Sequence, residues 1–336
     1  MGSESRNRYL LKNTLIFTLG NIGSRMISFF LIPLYTNVLT TSQYGTVDLI
    51  TTISTVAGPM LTLNIAESVM RFGLDKDADK EKNTQCGSIV LLIAMIIGLV
   101  LIPICRCITE VSDYAMYVYF YVISLSASQL FLCDLRGKEL LLKYSLGNIL
   151  QTLMIAILNI TFLLVFKMET GGYLLAYIIA NFIVAIYAII AGKGYKAFSF
   201  HNIDRCKLKE MIRYSIVLIP NTFMWWIMNS SDRVMVTYMI GAAANGIYAV
   251  SYKLPTLVST LTGIFNQAWS YSAIREEGTS DETEYNNKMF KTLSAIAFMM
   301  GIGLLLLTKP FLGVYVADSY YDAWKYTPFL IIGCVY

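Results

Sequence analysis

Long apolar runs separated by short polar stretches recur along the whole chain, at about 13–35, 46–70, 86–108, 113–134, 142–166, 172–192, 211–238, 245–272 and 289–308. Each is roughly 20 residues, enough to cross a hydrocarbon layer of about 30 Å as a helix. The runs are continuous rather than alternating, and each is about twice the ten residues of a barrel strand. Backbone inside a bilayer must satisfy its own hydrogen bonds, so the runs are read as helices. A tenth run begins at Thr327 and stops at Tyr336. Ten helical residues cover only about 15 Å, half a bilayer, so a longer protein is expected.

Polar residues inside the runs are not scattered. In the first, Thr14, Thr18, Asn21, Arg25 and Ser28 step by four and three along one helix face. In the second, Asp48, Thr52, Thr55, Pro59 and Thr62 do the same. The seventh carries Thr222, Trp225, Asn229 and Asp232, with Arg233 adjoining, and the eighth Lys253, Thr256, Thr260 and Gln267. Runs three to six are mostly apolar and read as supporting helices.

Composition agrees with the pattern. The chain is 56% hydrophobic and 14% charged, with mean hydropathy +0.58, where a soluble domain carries about 25% charged residues. With the N-terminus in the cytoplasm, 19 of the 26 Lys and Arg fall in inner segments and four in outer ones. The positive-inside rule therefore places the N-terminus inside. Arg25, Arg233 and Lys253 are the three left within the spans.

The longest connection, basic and polar, divides the chain into residues 1–193, a six-helix lobe; 194–210, a cytoplasmic linker; and 211–336, the first four spans of a second lobe. At an offset of 201 residues, Gly45 falls on Gly246 and Tyr44 on Asn245, so "SQYGTV" meets "AANGIY". Six spans per unit means both units enter from the same side. The expected fold is an all-α polytopic membrane protein of two parallel-repeat helical bundles around a central cavity, a transporter architecture, with the second bundle incomplete.

Hydroxyl and amide residues in such stripes often do no more than bond neighbouring helices. Charges carry more. A guanidinium at the centre of a membrane helix costs roughly 2.5–3.5 kcal/mol on insertion scales. Arg25 lies about 18 Å along its helix from Asn13, and Lys253 and Arg233 each about 12 Å from their outer turn. Asp48 and Asp232 are the nearby carboxylates, three cations against two anions. Either the charges neutralise one another, or they line a water-filled cavity that attracts an anion, for which the fork of arginine suits phosphate. The candidate substrate-binding residues are Arg25, Arg233, Lys253, Asn21, Asn229 and Gln267. Asp48, Asp232 and Glu67 are candidate ion-coupling groups or charge partners, and Glu67 is expected to pair with Arg71 at i,i+4.

No nucleophile motif, paired-histidine site or phosphate-cradling glycine loop is present, and the six cysteines lack zinc spacing. No catalytic residue, metal or cofactor is expected, and no nucleic-acid partner. The segments "LIPLYTNVLTTSQYGTVDLITTIS", "AESVMRF" and "SDRVMVTYMIGAAANGIYAVSYKLPTLVSTLTGIFNQAWS" resemble the Wzx-type oligosaccharide flippases of the MOP exporter superfamily. Ser24-Arg25 is similar to an SR in the first span of that superfamily's lipid II flippases. Lys253-Leu254-Pro255 is similar to their KLP, shifted here to the repeat-equivalent helix.

The resemblance implies alternating access of a cationic cavity that moves undecaprenyl-diphosphate-linked repeat units across the bacterial inner membrane, for O-antigen, capsule or exopolysaccharide. Its partners would be the lipid-linked oligosaccharide, membrane lipid, a coupling ion, and polysaccharide polymerase and chain-length proteins. Two alternatives stand beside it: an ion-coupled multidrug antiporter of the same superfamily, which needs an acidic cavity, and a membrane glycosyltransferase or polymerase, which needs a catalytic loop.

Overall fold

The computed structural model describes residues 27, 29–75, 78–106, 111–198, 204–276 and 282–335. Among them there is no strand. The helices are α1 (Ile32–Val38), α2 (Thr41–Leu61), α3 (Ile65–Gly73), α4 (Lys80–Arg106), α5 (Ala115–Gly137), α6 (Leu141–Ile160), α7 (Glu169–Ala191), α8 (Arg205–Met239), α9 (Ala242–Ser251), α10 (Lys253–Glu276), α11 (Glu282–Tyr315) and α12 (Thr327–Val335). A π turn, Thr161–Val165, extends α6. The protein is a multi-pass membrane protein. Five of the described helices have the length and apolarity to cross a bilayer, six when α2 and α3 are taken as one bent span.

Polar residues shape the interruptions. Thr40 and Gln43 form a capping box that starts α2. Pro59 removes a donor near the other end of the helix. Leu63 and Asn64 then take left-handed backbone, φ 52° and 54°, and α3 leaves at 61° to α2. In the second half the break lies at Tyr252, between α9 and α10. At the 201-residue offset Tyr252 falls on Thr51, so the two breaks are not equivalent. The helix α8 starts at Arg205, within the stretch read as linker, where Asp204 caps the amide of Lys207 at 3.0 Å.

The chain alternates between two ends of the bundle. One end carries Gly45, Glu169 and Gly246, joined in part by Gln43 donating to Glu169 at 2.7 Å. The other carries Arg71, Lys138 and Lys207. The two cores differ between these ends. At the Gly45 end one apolar cluster unites Tyr35, Tyr44, Tyr173 and Leu174 with Ala249, Leu254, Leu312 and Tyr320, so both halves share it. At the Lys138 end the cluster of Ile65, Val69, Leu130, Leu135 and Val184 takes only Met211 from the second half as a fully buried member. The shared buried core lies at the Gly45 end; at the Lys138 end the contacts include Ser68 donating to the Met211 carbonyl at 2.6 Å and Phe72 against Tyr214.

The join is closest between α2 and α9, which make the most extensive helix contact. A Cβ on Gly45 would lie 1.8 Å from the carbonyl oxygen of Ala242, and one on Gly246 would lie 2.0 Å from that of Thr41. Thr41 and Ala242 are themselves related by the same offset of 201, as are the glycines. Each half thus presents the same pair of positions to the other, as self-complementary contacts about a two-fold axis do. The parallel repeat is visible in this contact.

Candidate functional site

Below the glycine contact, α2 and α8 run side by side, and their polar positions meet. An Nη of Arg233 donates to Asp48 Oδ1 at 3.2 Å, with side chains 18% and 7% exposed. Asn245, fully buried on α9, donates to the carbonyl of Gly45 at 2.9 Å and reaches Asp48 Oδ2 at 3.4 Å. The Arg233 guanidinium also lies 5.1 Å from the ring centre of Tyr252. One turn further, the indole of Trp226 donates to the carbonyl of Thr52 at 2.9 Å. Beyond that, Asn64 at the start of α3 donates to Thr222 at 3.3 Å. The stripe read on the second span therefore faces the seventh.

Two atoms of this cluster are buried without a partner: Arg233 Nε and Asn245 Oδ1. Buried polar atoms are rarely left so. Among the described residues Arg233 thus meets Asp48 through a single nitrogen, and its buried Nε has no acceptor.

Several expectations are revised. Arg233 is paired with Asp48, so it does not add a free positive charge. Asp232 turns away to accept a hydrogen bond from the Tyr248 hydroxyl and from the amide of Arg233. The contact face of α8 runs through Thr222, Trp226 and Arg233, one residue on from Trp225 and Asp232; Trp225 is exposed. Asn229 lies between Trp226 and Arg233 on that face, exposed, its amide bonded back to the Trp225 carbonyl at 2.7 Å. Lys253 opens α10, half-buried, with no ion pair or side-chain hydrogen bond among the described residues. Described groups near the cluster therefore number two cations and two carboxylates. Arg25 and Asn21 lie outside the described residues, as does the side chain of Gln267 on α10.

Glu67 does not pair with Arg71. Arg71 instead meets Asp75 at 2.5 Å, one turn onward. Glu67 has no partner among the described residues and lines a cavity of about 810 Å³ towards the Lys138 end. Thr55, Pro59 and Asn64 share that wall with Ser128 and Gln129 of α5, Tyr144, Asn148 and Gln151 of α6, and Tyr214, Asn221 and Thr222 of α8. Spans four and five are thus part of the polar interior rather than only support. Their signal was present in the spacing: Tyr144, Asn148 and Gln151 step by four and three, as the other stripes do. Another missed group, Asp134 on α5, is structural. It accepts from Lys138 at 2.6 Å and Thr84 at 2.5 Å, while Lys138 also caps the Gly192 carbonyl at 3.0 Å.

Among the described residues no group of three His, Cys, Asp or Glu side chains is placed to hold a metal. The site offers one under-used guanidinium, one ammonium and a ring of neutral donors and acceptors.

No curated protein matches the chain in sequence. Its fold is similar to that of a mutant of the Vibrio cholerae MATE transporter VcmN, with TM-score 0.62 and 14% identity, covering 99% of this chain and 80% of that one. It is also similar to an outward-facing multidrug resistance MATE family transporter of the MOP superfamily, with TM-score 0.58 and 14% identity over 96% and 79% of the two chains. A MOP superfamily transporter from Pyrococcus furiosus gives 0.53 and 13% over 96% and 79%. Residues 10–271 match the profile of a family described as "Polysaccharide biosynthesis protein". With that match over most of its length, the chain belongs to the family described as "Polysaccharide biosynthesis protein".

Proposed function

We propose that the protein is a flippase for undecaprenyl-diphosphate-linked oligosaccharide repeat units in the bacterial inner membrane, serving O-antigen, capsule or exopolysaccharide synthesis, and that it acts as a transporter rather than an enzyme. The N-terminus and the Lys138 end face the cytoplasm, by the bias of Lys and Arg. The observation that carries the reading is Arg233: a guanidinium between the two halves, held to Asp48 by one nitrogen, whose buried Nε has no acceptor among the described residues.

In this reading the cavity opens to the cytoplasm and the glycine contact closes the periplasmic side. An oligosaccharide enters at the Lys138 end, and its diphosphate reaches Arg233 and Lys253. A phosphate offers Arg233 two oxygens where Asp48 now takes one nitrogen, so it is the stronger partner. Its binding frees Asp48 and loosens the bridge between the halves. A ligand shifts such an equilibrium only by its differential affinity for the two states, and competition for Arg233 supplies one. Arg25, Asn21 and Gln267 are proposed as further substrate-binding residues from their sequence positions alone, and polymerase and chain-length proteins receive the product.

One observation favours a second reading, an ion-coupled multidrug antiporter: Glu67 is a carboxylate in the cavity with no partner among the described residues. The amides around it and the family assignment favour the sugar. Complementation of a flippase-null strain tests the choice, with lipid-linked repeat units counted on the inner leaflet. Restored export supports the flippase. Failure to restore it, with drug efflux gained, rejects it.

A further inference from the structure

Resting on the flippase reading, we propose that the cavity beside Glu67 is a sugar subsite for a neutral or amino sugar, distinct from the cation cluster, in which side-chain amides read hydroxyl and acetamido groups and Glu67 excludes acidic sugars. Its volume, about 810 Å³, falls within the roughly 300–1,000 Å³ of small-ligand sites. Most such sites are largely apolar with a few polar groups. This one carries amides from four helices: Asn64, Gln129, Asn148, Gln151 and Asn221.

The residue types matter. A sugar hydroxyl donates and accepts at once, and a carboxamide presents both functions from one rigid plane. Gln129 and Asn221 are exposed into this space, on helices that otherwise cross a bilayer. Gln151 is oriented by donating to Asn181 at 2.6 Å, which fixes one amide of the wall. Tyr214, edge-on to Phe72, adds an aromatic surface at the Lys138 end.

Charge sets the selection. Among the described residues Glu67 is the one formally charged residue lining this wall; Arg71, engaged with Asp75, and Arg136, over the ring of Tyr144, lie outside the lining. A uronic acid or phosphorylated sugar here meets a like charge, whereas an ammonium sugar gains an opposite one. Such repulsion specifies a partner as effectively as attraction. Along α2, Asp48 and Pro59 are eleven residues apart, about 16 Å. Anion chemistry at Arg233 and sugar chemistry at Glu67 are therefore separate places on one path.

The test is saturation-transfer NMR on the purified full chain in nanodiscs, with trisaccharides of N-acetylglucosamine, glucosamine and galacturonic acid as probes. The first two bind wild-type protein, and galacturonic acid at least tenfold more weakly. Glu67→Gln leaves the N-acetylglucosamine probe unchanged, weakens the glucosamine probe about tenfold and relieves rejection of galacturonate. Gln129→Leu weakens both accepted probes without changing their order. Equal binding of all three by wild type, a ranking that needs no variant, overturns the proposal, as does a Glu67→Gln protein of unaltered preference. Undecaprenyl diphosphate titrated into wild type and Arg233→Gln separates the two readings. Arg233-dependent diphosphate binding with no trisaccharide binding overturns the subsite and leaves the flippase. Absence of both overturns the flippase reading and the subsite with it.

Discussion

Arg233 has five donors in a rigid fork and directs one at Asp48. Removing a single member of a buried pair typically costs about 3–5 kcal/mol, because the other charge is left alone. Arg233→Ala is therefore expected to lower the amount of protein in the membrane, and Asp48→Ala/Arg233→Ala to restore it while export stays abolished. Arg233→Lys keeps the charge but not the fork; normal abundance with export reduced at least tenfold is expected. Immunoblotting beside an export assay reads both quantities. Arg25→Ala is expected to abolish export at normal abundance. A second buried pair joins Lys138 to Asp134. Lys138→Met leaves Asp134 unpaired and should destabilise by about 3–5 kcal/mol, whereas Asp134→Leu/Lys138→Met should recover most of that loss in a detergent melting assay. Residue spacing showed that Asp48, Thr52 and Thr55 share a face. It did not show that Asp48 meets Arg233, because the partners lie 185 residues apart and only packing of α2 on α8 joins them. Nor did it show that Glu67 has no partner among the described residues: Arg71 has an acid on either side at four residues, and sequence distance does not choose between them.

Among elements, α2 with α3 is the informative one. Its hydropathy reads as one span, yet Pro59 and the left-handed Leu63 and Asn64 bend it by 61°. The bend brings Asn64 to Thr222 and sets Glu67 on the cavity wall. The proline was visible in the sequence, but the angle was not, since it depends on two non-glycine residues adopting a rare backbone conformation. The α2–α9 crossing makes a sharper prediction. Adding a methyl at Gly45 or Gly246 meets main-chain oxygen, which cannot rotate away as a side chain does. Gly45→Ala and Gly246→Ala should each part the two helices and raise labelling of Thr52→Cys by a membrane-impermeant maleimide from the periplasm, in a background free of other cysteines. Unchanged labelling in both would refute closure at this contact.

For the whole molecule, apolar runs two to six and nine were legible as spans, since their described helices have the length and apolarity to cross a bilayer and each satisfies its own backbone. The helices of runs seven and eight do not meet that measure. Where the halves share a core was not legible, because that depends on contacts between runs. Core residues from both halves meet at the Gly45 end, and few do at the other. Orientation belongs to this scale too. Reporter fusions after Lys82, Lys143 and Arg205 should read cytoplasmic, and those near Ser42, Thr109 and Met168 periplasmic. A periplasmic reading at Arg205 would reverse α8 and break the parallel repeat.

The paired glycines have a consequence for how such a protein diversifies. Their contact is main chain against main chain, so it holds no information about cargo. Wall residues such as Gln129 or Asn148 can be exchanged without touching it. A lineage can then drift from one polysaccharide to another through single replacements in the cavity, each inherited on a working machine. The glycines themselves have no such latitude: any larger residue at either position strikes the opposite half.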